Sequence, residues 1–208
     1  MPAGYTGRVF PTTVWDVVHA AGARDPEALD EFAREYRAPV LAFIRRRGFA
    51  PDVAEDLCQD VFVRLIIGGV LAKADARRGS FRSLLCTVTI RVIQDWCRRH
   101  KDLPAEDVDP AAPVPDFDRG WVLYLTERAL RALKRSSPGA YEVVHAHLAG
   151  EKPDRNKLWI ARRKLVALVR REIALTCRSR EEIEREVAAL SPYLRPSSRT
   201  SPQPAKKI

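Results

Sequence analysis

The most distinctive polar chemistry of the chain lies within residues 55–64: Glu55, Asp56, Gln59, Asp60 and Arg64. At about 100° per residue these side chains fall on one side of a helix, with Val63 in their middle. Ala54, Leu57, Cys58, Val61 and Leu65 fall on the other side, with Phe62 at the edge. Carboxylates and an amide at this spacing can pair with arginines of a partner helix, while Val63 and Phe62 add apolar contact. A plain solvated face with one stray valine fits the same pattern. Periodicity alone leaves both readings open.

A second line follows. In residues 81–100, Phe81, Leu84, Leu85, Val88, Val92 and Trp96 form an i, i+3, i+4 apolar stripe. Ser83, Thr87, Arg91, Gln94 and Arg98 line the opposite side. Arginines for phosphates, with hydroxyl and amide groups for base edges or backbone, suit a nucleic acid. Arg77, Arg78 and Arg82, just before or at the start of this stretch, add positive charge. A solvated basic face is the bland alternative.

Other chemistries find little support. Cys58, Cys86, Cys97 and Cys177 are far apart, form no CxxC, and read as small apolar filler in a reducing compartment. Cys97 and His100 alone do not make a tetrahedral site, and His145 and His147 diverge on a helix. The acids are helix-surface acids and no nucleophile sits beside a base, so no enzymatic activity, metal or cofactor is expected. No apolar run is long enough for a membrane span and the N-terminus lacks a signal-peptide core, which predicts a cytoplasmic protein with no membrane partner. The net charge of +9 and pI of about 9.7 favour a polyanionic partner. Residues 1–100 carry 15 Lys/Arg against 12 Asp/Glu, residues 101–118 one against six, and residues 119–208 twenty against nine.

The elements that must position these lines read as helices throughout. Thr13 opens a first helix to about Ala21, stopped by Gly22. Asp25 caps and Pro26 begins a second, running to Arg47 with a kink at Pro39. Ala50-Pro51-Asp52 opens a third to Ile67. Residues 70–79 form a basic loop, and Ser80 caps the helix Phe81–His100. The acidic, proline-rich stretch 101–117 reads as a linker. Helical patterns resume at about Asp118–Lys134, Gly139–Ala149 and Asp154–Cys177, and Ser179 with Glu182 caps a last helix to about Leu190. Residues 1–12 read as a flexible arm and 196–208 as a disordered tail.

The segments "YRAPVLAFIRRRGFAPDVAEDLCQDVFVRL" (36–65) and "RGSFRSLLCTVTIRVIQDWCRRH" (78–100) resemble region 2 of extracytoplasmic-function sigma factors of the sigma-70 family. The opening "DPEALDEFAREY" and the late "VRREIALTCRSREEIEREVAAL" look like its planctomycete-type branch. The resemblance implies an all-α fold of two helical domains: a region 2-like bundle over 13–100 and a reduced region 4-like domain over 118–195. It implies that Asp56, Gln59, Asp60 and Phe62, with Glu55, Val63 and Arg64 as neighbours, dock on the beta-prime clamp helices of core RNA polymerase. It implies that Arg77, Arg78, Arg82, Ser83, Thr87, Arg91, Gln94 and Arg98 melt and hold the promoter −10 element. Anti-sigma factors are further partners in the family.

Region 4 of the family reads the −35 element with a helix-turn-helix. "LWIARRKLVALVRREIA" (158–174) resembles the end of the recognition helix, and Arg155, Asn156, Trp159, Arg163 and Arg170 are the candidates there. About a dozen residues for the supporting helix and turn are missing before it, which predicts weak or altered −35 reading. Three functions compete: a sigma factor, an adaptor that binds polymerase or nucleic acid without initiating transcription, and, least supported, an enzyme.

Overall fold

The computed structural model describes residues 14–74, 80–100, 114–177 and 179–194. These form eight helices and no strand: α1 (Val14–Gly22), α2 (Pro26–Arg46), α3 (Pro51–Ile66), α4 (Phe81–Arg99), α5 (Pro115–Ser136), α6 (Pro138–Leu148), α7 (Arg155–Leu175) and α8 (Arg180–Leu194). The fold is all-α, as the periodicity predicts. Thr13, the arm 1–12, the loop residues Arg77 and Arg78, the linker residues 101–113 and the tail 196–208 lie outside the described residues.

Local chemistry sets the helix ends. The Asp25 carboxylate accepts the Ala28 N–H at 2.9 Å, with Pro26 in the first turn of α2. Ser80 accepts the Ser83 N–H at 3.2 Å at the start of α4. Ser179 accepts the Glu182 N–H at 3.1 Å at the start of α8. Gly22 ends α1 where a Cβ would lie 2.9 Å from the backbone nitrogen of Ala72, so only glycine allows this helix end to meet the 70–74 turn. Arg24 takes the left-handed position that follows, at φ 64°. Two expected boundaries move. α5 begins at Pro115, inside the stretch read as linker, because Pro115, Asp116 and Asp118 are good first-turn residues. α8 runs on through Pro192 to Leu194.

One apolar core joins the helices. Phe32, Tyr36, Val40, Phe43 and Ile44 of α2 meet Leu57, Val61 and Leu65 of α3 and Phe81, Leu85 and Val88 of α4. Phe117, Trp121 and Leu125 of α5, Ile173 of α7 and Leu190 of α8 continue the same core. Tyr36 packs on Phe81 at 4.7 Å between ring centroids, and Phe43 on Phe117 at 5.1 Å. Each such buried aromatic contributes on the order of 2 kcal/mol of transfer free energy. A small satellite core of Leu133, Val144 and Ala161 holds α6 between α5 and α7.

Two arginines reinforce these junctions. Arg128 of α5 bonds the Glu172 carboxylate of α7 at 2.6 Å and also the Glu35 carboxylate of α2, which accepts the Tyr124 hydroxyl at 2.6 Å. Arg82 at the start of α4 donates Nε–H to Glu186 of α8 at 2.5 Å, Nη2–H to its other oxygen at 3.2 Å, and Nη1–H to Asp118 of α5. The side chains of Asp118 and Glu186 are only 6% exposed and that of Arg82 12%. Burial alone would lower the pKa of Arg82, but the Glu186 hydrogen bond and the two carboxylate charges outweigh it and hold it above its ordinary value. All four cysteines are buried and free. Among the described residues no helix is long and apolar enough to cross a membrane, and no three His, Cys, Asp or Glu converge on a metal position.

Candidate functional site

α3 sits in the core by the side the periodicity selects: Ala54, Leu57, Cys58, Val61 and Leu65 are all buried. Its other side is open. Asp56, Gln59, Asp60, Val63 and Arg64 are exposed, and Val63 keeps 44% of its surface in solvent. Neither Asp56 nor Asp60 forms an ion pair among the described residues. Their carboxylates are therefore available to a cationic partner without breaking an internal pair. Ile67, one turn beyond Val63, is 67% exposed and extends the apolar centre of the face.

Two residues of the predicted face sit differently. Glu55 is half-buried and turned toward α2, where it pairs with Arg37 and with Arg45 at 3.0 Å. Its charge is used to hold α3 on α2. Phe62 is partly buried: its ring stands edge-on to Phe32 at 5.9 Å between centroids. Phe62 thus supports the face from beneath and offers only its outer edge.

α3 and α4 meet along a groove of about 430 Å³. Asp60, Val63, Arg64 and Ile67 line one wall, and Val92, Asp95 and Arg99 the other. Asp95 bridges the helices. It accepts Arg64 of α3 at 2.6 Å and also Arg98 of α4. The Arg64 hydrogen bond, outweighing the small desolvation and aided by Arg98, holds the Asp95 carboxyl below its usual range. The outer side of α3 and the Val92, Asp95 and Arg99 edge of α4 are thus neighbours across one groove, with Arg98 tied to that edge through Asp95.

On α4, Ser83, Arg91 and Arg98 are exposed, and Thr87 and Gln94 are half-buried. Arg91 pairs with no carboxylate among the described residues. Trp96 is part of the structural edge, packed on Phe49 at 5.4 Å and stacked on His100 at 4.2 Å. Arg82 lies off the basic surface. It was expected beside Arg77 and Arg78 on the basic surface, but it points inward to Asp118 and Glu186. The signal was present: Leu85, Cys86 and Thr89, at i+3, i+4 and i+7 from Arg82, are all buried.

Sequence reasoning passed over Ile67, Asp95 and Arg99 as a group. Ile67 follows Val63 at i+4, so a wheel carried past residue 65 finds it. Asp95 and Arg99 needed the pairing of α3 with α4, which no local pattern supplies.

The region 4-like candidates lie apart, on α7. Arg155, Asn156, Trp159, Arg163 and Arg170 are all exposed. α7 follows α6 after the six residues 149–154, with Gly150 at φ 91° in the turn, and Asp154 caps it through the N–H groups of Asn156 and Lys157.

No curated protein and no solved structure matches the chain. Residues 32–102, from the first core phenylalanine of α2 to just past α4, match the family model described as sigma-70 region 2. The match covers about a third of the chain and contains the whole groove and both of its walls.

Proposed function

We propose that the protein is a sigma factor of the extracytoplasmic-function type, which docks on the beta-prime clamp helices of core RNA polymerase through the outer side of α3 and holds the opened promoter −10 element on the outer side of α4. The observation that carries this reading is the open side of α3, with Asp56 and Asp60 unpaired among the described residues and Val63 and Ile67 exposed, beside a groove whose far wall is Val92, Asp95 and Arg99 of α4. Asp56 and Asp60 would meet arginines of the polymerase, and Val63 and Ile67 would supply the desolvated centre that such a contact needs. Arg91 and Arg98 would take phosphates of the displaced strand, with Ser83, Thr87 and Gln94 beside them. Extruding bases costs a few kcal/mol, so phosphate contacts and polymerase binding together must offset it. The reading places the protein in the cytoplasm with the transcription machinery.

A second reading has one observation in its favour. Arg82 is withdrawn from the basic surface by α5 and α8, which lowers the charge available for DNA. A polymerase-binding adaptor without initiation competence would suit that arrangement. Run-off transcription with core polymerase and a promoter library separates the two. Defined transcripts support the sigma factor; core binding with no transcript from any template supports the adaptor.

A further inference from the structure

α7 has two unlike sides. Ala161, Val169 and Ile173 are buried, and Glu172, the one acid of the helix, faces inward to Arg128. The outer strip holds Asn156, Trp159, Ile160, Arg163, Val166 and Arg170 at i, i+3, i+4 and i+7 spacing, all exposed. Trp159 keeps 58% of its surface in solvent, Ile160 49% and Val166 57%. The Arg163 guanidinium lies over the Trp159 ring, 4.7 Å from its centroid. Among the described residues none of Arg155, Arg163 and Arg170 pairs with a carboxylate. Two other cations of the helix are engaged locally: Arg162 contacts His147 at 2.8 Å and Lys164 contacts Ser137 at 2.8 Å.

We propose that this outer strip of α7 is a binding surface for single-stranded nucleic acid, with Trp159 as the stacking platform and Arg155, Arg163 and Arg170 as phosphate contacts. The partner must be anionic, because the strip carries cations and no acid. It must also offer a flat aromatic face, because an indole held open with an arginine over it has room for a ring but little use for an acidic side chain. A duplex fits less well. Its base faces are covered by stacking, and the tip of α7, where a helix would take a phosphate, is already filled by the Asp154 carboxylate. From Arg155 to Arg170 the strip spans about 22 Å, room for a handful of nucleotides. The proposal does not rest on the reading of α3 and α4.

The test uses the full chain and a 12-nucleotide single strand carrying 5-bromodeoxyuridine, with binding followed by fluorescence anisotropy and ultraviolet crosslinks located by mass spectrometry. Because α4 is itself proposed to hold a single strand, the crosslink position is the deciding readout. The expected result is a crosslink at Trp159 that persists in Arg91→Ala/Arg98→Ala, and affinity lowered about tenfold in Trp159→Ala with an unchanged circular-dichroism melt. Crosslinks confined to α4, or full affinity in Trp159→Ala, would overturn the proposal. Equal competition by the same sequence as a duplex would make the strip a duplex phosphate patch, and equal competition by poly-glutamate would make it a surface for an acidic protein; either result also overturns it.

Discussion

Arg82 joins the two halves of the chain through buried charge. Its guanidinium neutralises two carboxylates, Asp118 and Glu186, whose side chains are 6% exposed. Replacing Arg82 by methionine keeps much of the volume but leaves two buried acids without a cation. Removing one partner of a buried ion pair costs about 3–5 kcal/mol. For a chain of this length each kcal/mol lowers Tm by about 2–4 °C, so Arg82→Met is expected to melt roughly 6–20 °C lower. The loss belongs to the stranded acids rather than to a missing attraction. The triple variant Arg82→Met/Asp118→Asn/Glu186→Gln is therefore expected to recover more than half of it. Urea unfolding followed by circular dichroism at 222 nm measures both. A loss under 1 kcal/mol in Arg82→Met, or no recovery in the triple variant, would refute the buried three-residue hub.

Three further outcomes follow from the same contacts. Arg64 holds the Asp95 carboxyl below its ordinary value, so the tie between α3 and α4 contributes stability above the unfolded carboxylate pKa and loses it as pH falls through the lower folded value. Asp95→Asn is expected to cost under about 1 kcal/mol at pH 7, the group being one-third exposed, and the difference from the native chain is expected to shrink toward zero as the pH is taken well below 4 in an unfolding series. Burial pushes the Cys58 and Cys177 thiols up to about 11 and Cys86 up to about 12, so at pH 8 roughly one molecule in a thousand or fewer carries a thiolate there. Iodoacetamide is expected to leave these three thiols unmodified in the native chain and to label them in denaturant, as read by mass spectrometry. If Arg91 and Arg98 each contact a phosphate, Arg91→Ala/Arg98→Ala lowers the salt slope of open-complex formation by about 1.4, and an unaltered slope counts against that surface.

Much of the arrangement is legible in residue types and short spacings. Asp25, Ser80 and Ser179 announce helix starts because a cap acts within three residues of itself. The buried side of α3 follows from period 3.6 alone. What the sequence hides are pairings across distance. Arg82 finds its carboxylates 36 and 104 residues away, and Glu55 finds Arg37 on another helix. A charge on a helical wheel reads as solvent-facing unless such a partner is known. Pro115 and its acids were ambiguous for a different reason: the same residues suit an extended linker and the first turn of a helix.

The most direct test is the affinity of the full chain for core RNA polymerase, measured beside Asp56→Lys/Asp60→Lys, both exposed positions whose change is expected to leave the melt intact. A loss of at least tenfold is predicted, since two lysines would be set against the arginines that the carboxylates attract in the proposed contact. Unchanged affinity in that variant would contradict the claim that the outer side of α3 is the docking face.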